Sequence, residues 1–246
     1  ASYIVYVTGR YEESFSLAQS SVELARKCGD VPALAEGLYS LGIAAIAIGR
    51  QTDAREYFNE GLALARAAGV RKSIATLSCG LGELHTHQGH LELAESAYLE
   101  SLTYSEGDPT GRVIVAHNLA RNAIALRDEG KAVRFLREAL AGEIPQISMA
   151  GLQFLMNCAG IASLRGEWTR ALRLGGAAAA YKERDNLWGD FVDAPFHARH
   201  VSEAQAGLGA EAADAAFAAG RAMDVATALR EAEAWLASLP VDERTP

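Results

Sequence analysis

An all-α, right-handed helical-repeat solenoid of about five helical hairpins, closed by a helical C-terminal cap, is the fold this sequence predicts. Three observations predict it. Gly9, Gly49, Gly89, Gly130 and Gly166 recur at intervals of 40, 40, 41 and 36 residues, a near-constant period that belongs to stacked helical hairpins. Each glycine separates two apolar stretches with helical spacing. Alanine is abundant and the 246 residues include only 6 prolines, so little interrupts helix.

The elements follow in order. Ser14, Ala18 and Val22 give a first stripe over 11–28, and Pro32 behind Asp30-Val31 suits the first turn of a helix over 32–48. Leu41-Gly42 before Gly49 matches Leu81-Gly82 before Gly89; Ala54, Phe58 and Leu62 after it match Ala94, Tyr98 and Leu102. These place helices over 52–68, 71–88 and 91–105. Small residues at Gly42, Gly82, Ala54 and Ala94 admit close helix approach, and Phe58 or Tyr98 fills the space between hairpins. The inter-helix glycine supplies a backbone conformation that a Cβ disfavours.

Pro109 behind Gly107-Asp108 opens a helix over 110–128. The fourth unit reads as compressed, because Gly130 is followed at once by Lys131 and Ala132, then Leu136, Ala139 and Leu140. Its helix runs over 131–141, and Glu143-Ile144-Pro145 is a loop between hairpins. Helices over 147–165 and 168–184 complete a degenerate fifth unit, with Gly166-Glu167-Trp168, Ala171, and Gly175 at the bulky position. The repeats thus fill residues 1–185 and the cap residues 186–246. In the cap, Asn186-Leu187-Trp188-Gly189-Asp190 breaks the pattern. Helical spacing returns over Ala194–Leu208, Ala210–Ala219 and Val225–Leu239, the last with Asp224 as N-cap. Terminal repeats are atypical because one face meets water.

Composition narrows the function. A net charge of −8 argues against grip on a phosphate backbone and fits a cytoplasmic protein. The longest apolar run, Leu38–Ile48, is too short for a bilayer, and no signal-peptide pattern opens the chain. The chain starts without Met and close to the end of a helix, as a piece of a longer protein would. Cys28, Cys79 and Cys158 are far apart and odd in number, which suits reduced, buried small hydrophobes.

His85, His87 and His90 are the most tempting cluster, but His85 and His87 point about 200° apart on a helix and lack a matching carboxylate or thiol. His197 and His200 are one turn apart behind Asp190 and Asp193, where zinc is conceivable; a surface or packing role is the default. Glu92, Glu95 and Glu100 read as a solvated helix face. No nucleophile has a base and an orienting partner, so no enzyme, metal site or cofactor is expected.

Leu41-Gly42, Ala54 and Phe58 resemble the tetratricopeptide repeat. The period is nearer 40 than 34 residues, and Leu38 and Ser78 stand where the family carries an aromatic. The resemblance implies that the first helix of each hairpin lines a concave groove. Carried across, the groove positions are Tyr39, Ile43, Glu83, His87, His117, Asn118, Arg121, Gln153 and Asn157. Arg121 with Asn118, Asn122 and Asn157 would form a polar strip able to meet a carboxylate or a peptide backbone. Equally, Asn118 and Asn122 could satisfy inter-helix backbone groups.

Cys158–Ala162, Arg165–Trp168 and Ala171–Ala178 are similar to the C-terminal repeats of large bacterial regulatory ATPases, as are Leu208-Gly209, Ala216–Met223 and Ala226–Ala232. That resemblance implies a non-catalytic sensing arm of a signal-transduction ATPase. Its output domain would be a LuxR-type or winged helix-turn-helix, or a cyclase or kinase. The partner would be a protein, peptide or small effector in the groove, with no direct nucleic-acid contact and no membrane. A plain scaffold is the alternative. The sequence holds no G-x-x-x-x-G-K-[ST] phosphate loop and no basic recognition helix.

Overall fold

A computed structural model describes residues 9–140, 149–185 and 193–240, with side chains in the last stretch from residue 195. The described residues form helices and no strand. In chain order these are α1 Tyr11–Cys28, α2 Val31–Ala47, α3 Gln51–Ala68, α4 Arg71–His87, α5 Leu91–Tyr104 and α6 Pro109–Ala125. There follow α7 Glu129–Leu140, α8 Met149–Leu164, α9 Trp168–Arg184, α10 Asp193–Leu208, α11 Ala210–Arg221 and α12 Val225–Ser238. The architecture is that of a helical-repeat solenoid. The expected loop at Glu143-Ile144-Pro145 and the break at Asn186–Asp190 lie outside the described residues.

Local chemistry sets the helix ends. Carboxylates of Asp30, Asp108, Asp128 and Asp224 each accept from the backbone N–H three residues on, at 3.0 Å. Each fills an orphan donor of a first turn. Pro32 and Pro109 sit in first turns, where no N–H is needed.

The turn inside each hairpin closes in one way. Gly49, Gly89 and Gly166 have φ of 81°, 74° and 72°, and Arg127 shares that left-handed region at 60°. At each, the turn residue and its successor donate back to carbonyls three and five residues earlier, as Arg127 to Ile124 (3.0 Å) and Asp128 to Ala123 (2.9 Å). This is the helix-ending motif that a left-handed residue permits.

The fourth turn therefore belongs to Arg127, and Gly130 is an ordinary residue inside α7. With Arg127 in place the turn residues 9, 49, 89, 127 and 166 are spaced 40, 40, 38 and 39 apart. The compression of the fourth unit comes from following glycine rather than the turn.

The chain divides into two compact units, residues 1–115 and 116–246, with the division inside α6. In the first unit each helix from α1 to α4 packs on the next, and α2 also packs on α4. Phe58 of α3 is fully buried as a wedge: a Cβ added to Gly42 or Gly80 would lie 2.4 or 2.5 Å from its Cε1. Tyr98 of α5 stands likewise against Gly82, at 2.3 Å. Nine residues after Arg127 the bulky position holds Leu136, and seven before it the small position holds Ala120, both fully buried. Glycine accompanies the aromatic ring and alanine accompanies leucine, so summed volume is kept.

The outer helices of this unit are linked at repeat-equivalent places: Arg26 pairs with Glu60 at 2.6 Å and Arg66 with Glu100 at 2.5 Å. Glu100 also accepts from the buried Ser78 hydroxyl at 3.0 Å. It is thus a cross-hairpin tie rather than part of a merely solvated face.

In the second unit α8 and α9 form a hairpin, and α9 packs on α10, α11 and α12. Gly175, at the bulky position, leaves room that α10 and α11 take: a Cβ there would meet Val201 at 3.2 Å and Phe217 at 3.9 Å. Beside it, a Cβ on Gly176 would lie 2.2 Å from the Phe217 carbonyl oxygen. The helix α12 returns to pack on α7 and α8. Arg137 of α7 donates to the terminal carbonyls of Leu236 (2.8 Å), Ala237 (3.0 Å) and Leu239 (2.6 Å), where a helix end carries partial negative charge.

Candidate functional site

The candidate groove positions fall on α2, α4, α6 and α8, the first helices of successive hairpins. They differ in access. In the first unit Tyr39 and Ile43 are half-buried and His87 is exposed, while Glu83 is only 6% exposed. Tyr39 meets the Phe58 ring at 6.3 Å between centroids, which couples it to the hairpin wedge. In the second unit Gln153 is half-buried, whereas His117, Asn118, Arg121 and Asn157 are 1–2% exposed.

The second-unit residues are interior polar groups. Asn157 Nδ2 donates to the His117 carbonyl at 3.2 Å and lies 3.4 Å from His117 Nδ1, binding α8 to α6. The His117 ring meets Phe154 edge-on at 6.5 Å. Asn157 thus makes an inter-helix backbone bond of the kind expected of Asn118 and Asn122. Asn118, Arg121 and Asn122 are engaged as well, as burial of a guanidinium that stays charged requires.

The histidine cluster splits. His85 is half-buried, its ring 6.2 Å from that of His90, and burial with the nearby Arg55 and His90 charges holds its pKa below the usual histidine value. His87 and His90 are exposed. No group of three or more His, Cys, Asp or Glu among the described residues could hold a metal. Asp190 and the side chain of Asp193 lie outside the described residues.

Of the cysteines, Cys79 and Cys158 are buried but Cys28 is exposed, because α1 ends there and turns at Gly29. Burial pushes the Cys158 thiol up, away from the nucleophilic thiolate. No described helix is long and apolar enough to cross a membrane.

Lys182, Met156 and Phe217 line a cavity of about 250 Å³ in the second unit, with His197 and His200. None of these three stands out in the sequence: Met156 and Phe217 sit at ordinary helix-spaced apolar positions, and Lys182 is one of 23 Lys and Arg.

A model of the tetratricopeptide repeat family matches residues 3–67. Two solved structures share the fold at low identity. BtubC (BKLC) from P. vanneervenii is 20% identical with a TM-score of 0.61, the match covering 96% of each chain. A single-residue variant of a Podosopora anserina chain, described as a kinesin light chain with nearly identical TPR-like repeats, is 17% identical with a TM-score of 0.54. That match covers 75% of this chain and 92% of the other. No curated protein matches the sequence. These likenesses give the chain the fold of a helical-repeat solenoid, and its residues 3–67 match the tetratricopeptide repeat.

Proposed function

We infer that the chain is a non-catalytic interaction and effector-sensing domain of a bacterial signal-transduction ATPase that regulates transcription. Tetratricopeptide-like repeats imply a protein-interaction module, and the observation that carries the reading is the one hairpin register kept from Gly49 to Gly166. A register held by wedges and small residues presents like faces of successive first helices within a unit, as a surface for an extended partner requires. Tyr39, Ile43 and His87 supply accessible side chains of that face in the first unit, and Gln153 supplies one in the second.

Buried Arg121, Asn118 and Asn157 join it only if binding rearranges α6 and α8. In that case a partner shifts the array between two conformations and so governs the attached ATPase. The resemblance of 158–178 and 208–232 to regulatory ATPases supports that assignment.

Two experiments test it. The gene around this segment should encode a phosphate loop and a DNA-binding domain; a gene with neither leaves the scaffold reading. Deleting residues 1–246 from the full protein should abolish effector-dependent transcription, and unchanged regulation would falsify the sensing role.

A further inference from the structure

The helix α10 lies over part of the first-helix face in the second unit. Turn register assigns Met156 and Gly160 of α8 to that face, because they precede Gly166 by ten and six residues, as Tyr39 and Ile43 precede Gly49. On α8 both positions meet α10, which packs on this helix as well as on α9 and α11. A Cβ on Gly160 would lie 3.6 Å from His200 Cδ2, and Met156 shares a cavity wall with His197, His200 and Val201. The Ser163 hydroxyl donates to the His200 carbonyl at 3.5 Å.

The helix is loosely held there. Between residues 195 and 208 only His200 and Ala204 are buried, whereas eleven residues of α8 are. Burial of apolar surface supplies most docking energy, so α10 gains little of it. His200 is 4% exposed, and neither ring nitrogen has a hydrogen-bond partner among the described residues. Glu203 Oε2, 3.5 Å from Nδ1, is beyond good hydrogen-bond distance. A buried polar group left unmet costs free energy that release into water recovers. A cavity of about 250 Å³ between α8, α9, α10 and α11 further denies this contact the close packing of an interior.

The neighbouring helix is firmly placed by contrast. Gly220 of α11 stands against the Arg173 carbonyl of α9, and Gly176 of α9 against the Phe217 carbonyl. Gly209, between α10 and α11, has φ of 86° and nothing within 4 Å of an added Cβ. It is an unobstructed pivot beside an anchored helix.

We propose that α10 is an internal occupant of the partner surface, exchanged on binding for an amphipathic helix of the partner. The pattern of α10 specifies that helix. Phe196, His200 and Ala204 follow one another at four-residue spacing, as anchors of a helix laid on a helical surface do. Ala204 is fully buried, so its place in the partner takes a small residue. Glu203 lies 3.8 Å from Arg127 at the turn after α6, so the residue before the small one is acidic. While α10 is docked, its high local concentration keeps a free helix off the surface. The inference rests on the first-helix surface of the proposed function, yet its test involves neither the ATPase nor an effector.

Hydrogen exchange on the whole chain is the first measurement. Amides of α10 should exchange at least tenfold faster than those of α8, α9 and α11. Equal protection of all four helices would overturn the proposal.

The second uses a labelled synthetic peptide of residues 193–208. Ala204→Arg in the chain puts a charge into the buried contact and should free α10. That chain should bind the peptide at least tenfold more tightly than wild type does. A peptide carrying Ala204→Arg should not bind, and one carrying Glu203→Gln should bind about threefold more weakly. The proposal fails if the Ala204→Arg chain does not bind the peptide, or binds both 204 versions equally. It fails too if that substitution strips protection from α8 and α9, since α10 would then be part of the core.

Discussion

Gly220 of α11 and Arg173 of α9 meet backbone to backbone: a Cβ built on Gly220 would sit 1.9 Å from the Arg173 carbonyl oxygen. Gly176 repeats the contact from the opposite helix, against the Phe217 carbonyl at 2.2 Å. Backbone cannot step aside as a flexible side chain can. Gly220→Ala should therefore cost about 2–3 kcal/mol by overpacking, read as a lower urea midpoint at constant slope. Wild-type stability in Gly220→Ala would contradict so close an approach.

The turn assignment makes a sharper test. Gly130 is helical, and a Cβ there meets only Asp128 Oδ1 at 3.7 Å, so Gly130→Ala should stabilise by about 0.5–1 kcal/mol. Gly49 has φ of 81°, and Gly49→Ala should destabilise by about 1 kcal/mol. Arg127→Gly should raise the melting temperature by relieving a left-handed arginine. If Gly130→Ala proves the harmful change, glycine and not register sets the turn.

Gly42 and Phe58 should behave as one unit. Gly42→Ala drives a Cβ into the Phe58 ring, and Phe58→Leu opens a cavity; each should cost about 1–3 kcal/mol. Together they imitate the Ala120 and Leu136 of the fourth hairpin. The double variant should be more stable than the sum predicts by about 1 kcal/mol or more in a double-mutant cycle. Simple additivity would mean the fourth hairpin does not obtain its fit by exchanging volume.

Arg137 tests the return of α12. Arg137→Ala leaves the terminal carbonyls of α12 without a cation and should cost about 1–3 kcal/mol. Hydrogen exchange should rise first at the C-terminal end of α12; a uniform rise across the second unit would argue for a general packing loss.

Acid should weaken the fold through His200. Its folded pKa lies below the ordinary 6.5, so between those values the unfolded chain holds a proton that the folded chain refuses. Stability is level in this respect above pH 6.5 and falls as pH drops through that window. His200→Gln should flatten the fall, measured as melting temperature against pH. Some slope remains because His85 is lowered in the same direction. An unchanged slope would remove His200 as its source.

Much of the hairpin order is legible in the residues alone. Tyr11–Cys28 and Trp168–Arg184 begin and end where apolar spacing puts them, and Asp224 caps α12 as its position suggests. Capping and periodicity act within a few residues, so the chain reveals them locally. Arg127 escapes such reading because left-handed backbone has a strong glycine signal and almost none when arginine bears it.

The fate of the polar side chains is less visible. Asn118, Arg121 and Asn157 occupy first-helix positions that the repeat assigns to a binding face, yet they are interior. Whether a helix face meets water or another helix depends on which segments pack over it, and those are distant in sequence.

The sequence by itself determined the all-helical class, the 40-residue hairpin rhythm and the wedge of Phe58 and Tyr98 against small residues. Each follows from steric rules spanning one turn or one hairpin. Only the tertiary structure decided that α11 lies on the glycines of α9, that Arg137 ends α12, and that His200 and Lys182 share one cavity wall. Those relations join residues up to 102 positions apart, and helical periodicity carries no information over that distance about which faces will meet.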